Sequence, residues 1–566
     1  MSTSTPSDPG RPGDSGDPGN PAPAPRPVPD PERAARLRAA FTAAQYTADG
    51  LLDLLGAPAY AALARGETVP ALRATRGGSP LETLVRLFLL QAAVPRERAA
   101  QALPLEDCLA GGWLEVDRAD ASAVRATVDI RPYADTGANP GDSPDAADAG
   151  GEDAWIVSDL GCAVGGAGGI GGGPDDGSTQ NDGGTSAVPR SELVLGVGGA
   201  STTLAGLTVP HPVRTALDLG TGSGVQALHV SRRAGSVTAT DVNPRALHFA
   251  RLTAALSGAD NIATADGSLF EPVGDERFDL IVSNPPFVIS PKGRFTYRDG
   301  GLAGDTLCRR LVEQAGEHLT DGGYCQLLAN WLHIKGEDWR DRVAGWAAGT
   351  GCDAWIIQRE VQDPAEYAEL WLRDGGDHRA GAVAYAARYA EWLDSFEELG
   401  AEGVGFGWIT LRRAPAGARP VIHAEEWPHP VEQPLGREIE RWFARQDFLR
   451  AHGDAALLEA RYTLAPEVVQ EQVGVPGSED PEHVILRQNR GLRRATKVDT
   501  VGAGFAGVCD GELPAGRILD AIADLLDEDP AVLRARTPEA IRLLVEQGFL
   551  DPVVTRAPRA ATRPAR

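Results

Sequence analysis

Leu217-Asp218-Leu219-Gly220-Thr221-Gly222-Ser223-Gly224 runs from an apolar strand through three glycines toward an apolar helix. Glycine lets the backbone bend sharply and lets a ligand approach the main chain within van der Waals contact. Amides at a helix start can then bond the ligand's polar groups. The stretch predicts a strand, a ligand-cradling turn and a helix in succession. Outward from it the alternation repeats. Strands are expected at 215–220, 236–242, 262–266, 278–283, 323–330, 352–358 and 404–412, with helices near 223–233, 244–257, 304–319, 336–348 and 378–399. That pattern predicts the α/β class, a seven-stranded sheet, mostly parallel and covered on both faces.

The fourth strand, Phe278-Asp279-Leu280-Ile281-Val282-Ser283, ends in Asn284-Pro285-Pro286-Phe287. Two prolines remove backbone donors and fix φ, so the segment is rigid and cannot continue a ladder. Rigidity suits a place where carbonyls must point at a substrate. In doubly wound sheets ligands gather at the carboxyl ends of the strands, so this tetrad is expected close to the glycine turn. Asn284 and the Pro285 carbonyl offer two acceptors for the N–H groups of one planar nitrogen, and Phe287 offers a face for stacking.

Acids end the neighbouring strands. Asp241 closes Ser236–Asp241 and is placed to accept ribose hydroxyls; Asp266 closes the strand after it. A glycine-rich turn followed by an acid also fits a dinucleotide site, so Asp241 alone does not discriminate. Asp218, two residues before the first glycine, and the tetrad downstream favour another cofactor.

Together these motifs resemble the class I S-adenosylmethionine-dependent methyltransferases that modify amino or amide nitrogens. The resemblance implies a Rossmann-like sheet whose seventh strand is antiparallel, with S-adenosyl-L-methionine as cofactor. It also implies site roles. Asp218, Gly220, Thr221, Gly222 and Gly224 take the methionine end, Asp241 the ribose and Asp266 the adenine. Asn284, Pro285, Pro286 and Phe287 become the catalytic tetrad. The segment Arg298-Asp299-Gly300-Gly301-Leu302 is similar to one in release-factor glutamine methyltransferases, and the likeness extends to small-domain ribosomal RNA guanine-N2 methyltransferases. It covers residues 190–413. The substrate expected first is a base of structured RNA. A protein glutamine is the alternative, and a DNA adenine or a non-catalytic scaffold stands behind both.

The flanks are read more coarsely. With 566 residues the chain has room for roughly three or four units. Residues 1–30, rich in Pro, Gly, Ser and Asp, read as a disordered tail. Residues 31–120 read as a helical module, winged-helix-like, and 121–190 as a strand-containing linker with a Gly/Asp-rich insertion at 163–184. The half-buried strand pattern there starts at Ala123 and runs to Ile130. The methyltransferase domain is placed at 191–414, an α+β accessory domain at 415–555 and a second tail at 556–566. Ser201, Thr202 and Thr203, ahead of the first strand, are candidates for the substrate mouth.

Composition narrows the partners. A net charge of −25 gives no global attraction for a phosphate backbone. The one local exception is Arg487, Arg490, Arg493, Arg494 and Lys497, a candidate phosphate contact. Cys108, Cys162, Cys308, Cys325, Cys352 and Cys509 are too scattered for a zinc knuckle or a disulfide framework, and no metal site is expected. No apolar run reaches membrane-spanning length, and the expected location is the cytoplasm.

Overall fold

The structure is a computed structural model that describes residues 27–134, 153–161, 192–291, 298–299, 301–476 and 481–553. The expectations for the tract 163–184, for most of the N-terminal tail and for the C-terminal tail lie outside the described residues.

The centre is one sheet of β1 (Val213–Leu219), β2 (Ala234–Asp241), β3 (Ile262–Asp266), β4 (Phe278–Ser283), β5 (Leu319–Ile334), β6 (Cys352–Gln362), β7 (Ala401–Arg413) and β8 (Ile422–Glu426). Their order is β8-β6-β7-β5-β4-β1-β2-β3. β7 runs antiparallel to both its neighbours, and the remaining pairs are parallel. The expected seven strands are therefore eight. β8, Ile-His-Ala-Glu-Glu, pairs in parallel with β6 at the sheet edge. It escapes a pattern search because an edge strand is short and half-exposed, so polar residues are tolerated on both faces.

Alternation along each strand builds the two faces. Leu217, Leu219 and Ile281 face one core with Leu311 and Val343, from helices Thr306–Ala315 and Trp339–Ala347. Ala216, Leu280 and Val282 face the other with Leu204 and Leu207 of helix Gly199–Leu207, and Ala227 and Val230 of helix Val225–Ser231. The same face takes Ile439, Trp442 and Phe443 from helix Gly436–Ala451. There Trp442 stacks on Trp355 of β6 with ring centroids 4.6 Å apart. A boundary at 414 thus falls between two strands of one sheet.

Ahead of the sheet, six helices from Pro31–Ala43 to Leu105–Ala110 pack with a three-stranded antiparallel sheet of Val94–Pro95, Ala123–Ala126 and Leu114–Val116. The strand pattern from Ala123 to Ile130 is split in two. After Ala126 the chain turns, and Asp129–Tyr133 pairs with Ala154–Ser158 instead. Behind the sheet, helices Ala515–Leu526 and Pro530–Glu546 enclose a core of Leu519, Leu533, Ile541 and Phe549. Cys108, Cys308, Cys325, Cys352 and Cys509 are buried and unpaired. Among the described residues no helix is long and apolar enough to cross a membrane.

Candidate active site

Strand register brings the motifs together. Leu219 pairs with Ser283 on one side and with Thr240 on the other, and Asp241 pairs with Asp266. Gly220, Asp241 and Asn284 therefore leave three adjacent strands at one level, on strands spaced about 4.8 Å apart. Ser283 fastens the junction by donating its hydroxyl to the Leu219 carbonyl at 2.8 Å. Directly above lies a cavity of about 580 Å³, walled by Gly220, Thr221, Gly222, Asp241, Asn284, Pro285 and Pro286 among others.

The turn has the backbone that its glycines permit. Gly220, Gly222 and Gly224 lie at φ 72°, 55° and 83°, in the left-handed region that side chains disfavour. Their roles differ. A Cβ on Gly220 or Gly222 would meet nothing within 4 Å, whereas one on Gly224 would stand 3.1 Å from the Ala250 Cα. The first two leave space above the turn, and the third lets helix Pro244–Ser257 pack close. Gly220 N and Thr221 N both donate to the Thr240 carbonyl at 2.9 Å, locking the turn to β2.

Asp218 does not line the cavity; it is buried, with 1% exposure, under the turn. One of its oxygens accepts from Thr221 Oγ1 at 2.6 Å and from Ala227 N at 2.9 Å. The other, Oδ1, is buried with no partner among the described residues. Burial raises its pKa to about 7, against the pull of those two donors. Asp241 accepts from Gly222 N and Asn243 N, both at 2.9 Å. Burial also raises its pKa, with the nearby Asp266 carboxylate adding to the effect.

Asp266 stands apart. It is exposed, and at the end of β3 the cavity wall is made by Gly267, Ser268 and Leu269. Phe287 also lies off the wall and packs its ring into the cores behind. Asn284 is half-buried at the wall, and among the described residues no hydrogen bond engages its side chain. The segment downstream folds back on the tetrad: Val288 N donates to the Arg298 carbonyl at 3.0 Å, and Asp299 joins the wall.

Several wall residues carry little sequence signal. Leu195, Gly196, Gly198 and Ser201 line the opening, in the Ser/Thr-containing run expected there, while Leu307 and Leu311 come from an ordinary amphipathic helix. Gln226 had a readable signal. It is the one amide in the apolar run Val225–Val230; it reaches the wall and donates to the Ser201 carbonyl at 2.7 Å.

The basic run lies on strands His483–Gln488 and Ala495–Val498 and the turn between them. Four of its five cations already hold carboxylates: Arg487 with Glu471, Arg490 with Glu467, Arg493 with Glu432 and Arg494 with Glu425. The run expected to meet phosphate is thus largely neutralised, because glutamates distant in sequence converge on it in the fold.

Known proteins bear on the same segment. Residues 43–127 and 440–552 each match a domain of unknown function, and residues 198–337 match the methyltransferase small domain. The chain is 35% identical over 164 residues to a release factor glutamine methyltransferase of Geobacter sulfurreducens, covering 26% of this chain and 55% of that protein. It is 38% identical over 135 residues to a ribosomal protein uL3 glutamine methyltransferase of Bradyrhizobium diazoefficiens, covering 21% and 42%. A ribosomal RNA small subunit methyltransferase C of Salmonella arizonae is 33% identical over 134 residues, covering 23% and 35%. The chain spans about half the length, or less, of these relatives. The turn at Gly220, the acid at Asp241 and the tetrad at Asn284 all fall within residues 198–337, the part of this chain that matches the methyltransferase small domain.

Proposed function

We propose that the protein is an S-adenosylmethionine-dependent N-methyltransferase acting on a planar amide nitrogen, in the first place a protein glutamine. The observation that carries this reading is the single cavity wall shared by the glycine turn and Asn284-Pro285-Pro286. The residues fit the cofactor. Space stands open above Gly220 and Gly222, and Asp218, with one unpartnered oxygen, places a buried carboxylate beneath the turn whose charge favours an ammonium group above it. The turn and Asp218 would hold the methionine end, Asp241 the ribose, and the apolar Val242 and Leu269 the base. When bound, the cofactor supplies an electrophilic methyl group.

The chain's own residues then deal with a poor nucleophile, since an amide lone pair is delocalised into its carbonyl. Asn284 Oδ1 and the Pro285 carbonyl accept the two N–H bonds, which shifts electron density onto the nitrogen and orients it. Fixed acceptors placed where positive charge develops stabilise the transition state with little reorganisation. No ionised base is needed before transfer, and the surplus proton leaves to solvent afterwards.

Glutamine is preferred to an RNA base on two grounds. The basic run is occupied by glutamates, and the chain is strongly acidic. Similarity to a ribosomal RNA methyltransferase keeps the base as the second reading. Labelled methyl transfer into a lysate lacking this protein, fractionated into RNA, DNA and protein, tests both. Label in the protein fraction is expected, and label confined to RNA reverses the order. Asp241→Ala is expected to weaken cofactor binding by about tenfold or more, the scale of a hydrogen bond to a charged group. Unchanged calorimetric affinity would remove Asp241 from the site.

A further inference from the structure

Helix Pro364–Asp374 has no counterpart among the helices expected from the sequence, and it lies outside the matched segment. Asp363 starts it by accepting from the Ala365 and Glu366 amides at 2.8 and 2.9 Å. Its Tyr367, Trp371 and Asp374 fall at i, i+4 and i+7 and so share one face. That face holds both limbs of the segment that begins at Asn284.

On the outgoing limb, Ile289 N donates to the Tyr367 hydroxyl at 2.9 Å. On the returning limb, Arg298 donates to the Trp371 carbonyl at 2.9 Å. Its guanidinium also lies 5.6 Å from the Trp371 ring centre and 3.6 Å from the Asp374 carboxylate. The limbs are tied to each other as well, through bridges from Phe287 and Val288 to Asp299.

Tyr367 is the fixed point of this frame. It is fully buried, with Phe396, Phe406 and Trp392 ring centres 5.7, 5.5 and 6.2 Å from its own. Its hydroxyl accepts a second bond, from Asn330 Nδ2 on β5 at 3.0 Å. Moving that oxygen would strand two buried donors, the costly case for a hydrogen bond. Between Ile289 and the wall prolines Pro285 and Pro286 stand only Phe287 and Val288, both bridged to Asp299, and the fixed φ of the prolines carries that placement on to the Pro285 carbonyl and Asn284. Tyr367 itself is not part of the wall.

We propose that Tyr367 is a positioning residue for the methyl transfer, acting through Ile289 to fix the placement of Asn284 and Pro285, with helix Pro364–Asp374 as its frame. The role rests on the reading of Asn284–Phe287 as the substrate-facing tetrad. Tyr367→Phe keeps the ring and removes one oxygen. In the full chain, amide hydrogen exchange at residues 287–290 is expected to rise about tenfold, the weight of one net hydrogen bond, while β4 keeps its protection. Methyl transfer is expected to fall by a similar factor at unchanged cofactor affinity. In an Asn284→Ala background the second substitution should add no further loss, because residues that act as a unit are non-additive.

Unchanged exchange at 287–290, a uniform rise that includes β4, or additive kinetic losses would each overturn the proposal. If Tyr367→Phe does not fold, Arg298→Gln, which loosens the returning limb, should give the same local rise in exchange, and its absence counts against the frame. If the wild type methylates nothing, the functional reading fails, while the exchange comparison still decides whether Tyr367 holds the tetrad.

Discussion

Asn284→Ala is expected to lower methyl transfer by about 10²-fold or more, the effect of removing one preorganised polar group at a developing charge. Cofactor affinity should stay within about twofold, roughly 0.4 kcal/mol on a scale of 1.4 kcal/mol per tenfold. The expectation follows from where Asn284 stands. The register Leu219↔Ser283 places it beside the turn, it lines the cavity, and no hydrogen bond among the described residues restrains its side chain. Removing it strands no structural partner, so stability should change little. Single-turnover kinetics on the labelled fraction, alongside calorimetry with the cofactor, separates the two effects. A variant that binds the cofactor normally and still methylates at the wild-type rate would remove the tetrad from the chemistry. The loss should appear in the turnover rate more than in the KM, since the acceptors bind the nitrogen most strongly as it gains positive charge.

The geometry of the candidate site was legible in the sequence where backbone chemistry dictates it. Three glycines after an apolar strand, and a strand that stops at Asn-Pro-Pro, can be read residue by residue because each has few conformations open to it. The antiparallel β7 between β5 and β6 followed from resemblance, and no local pattern announces it. β8 was not legible, because it is half-exposed and charged and has no clean period. Helix Pro364–Asp374 was overlooked rather than hidden: Asp363 before Pro364 is a start signal, and Tyr367, Ala368 and Leu372 form a buried stripe opposite Glu366, Glu369 and Arg373. At Asp266 the motif and the cavity diverge. An acid ends β3, the outermost strand on its side, but it is exposed while Gly267, Ser268 and Leu269 build the wall. The arginines at 487–494 read differently in the fold for a related reason. Their glutamate partners lie at positions 425, 432, 467 and 471, and no count of local charge includes them.

Asp218→Asn is expected to stabilise the ligand-free protein at alkaline pH while weakening its hold on the cofactor. Burial raises the Asp218 pKa to about 7 from an ordinary 3.8. A carboxyl whose folded pKa is raised binds its proton more tightly when folded than when unfolded. Its contribution to stability is full below about pH 4 and is lost as pH rises toward and through 7. At pH 8 the wild type therefore holds an ionised carboxylate with one oxygen unpaired, at a cost on the order of a few kcal/mol. Asparagine keeps an oxygen for Thr221 Oγ1 and Ala227 N and carries no charge to desolvate. Asp129, buried and raised to about 7 as well, tilts both proteins the same way, so the difference between them isolates Asp218. Urea unfolding at pH 5 and pH 8 should show the variant's advantage growing with pH. Its cofactor affinity should fall by about tenfold or more, because the buried negative charge that destabilises the empty site is the one that attracts the ammonium group across the turn. An advantage that did not grow between pH 5 and pH 8 would mean that Asp218 is already ionised and solvated in the empty protein. Unchanged affinity with increased stability would leave the carboxylate without a part in binding, and the cavity would then hold the methionine end by its glycine turn alone.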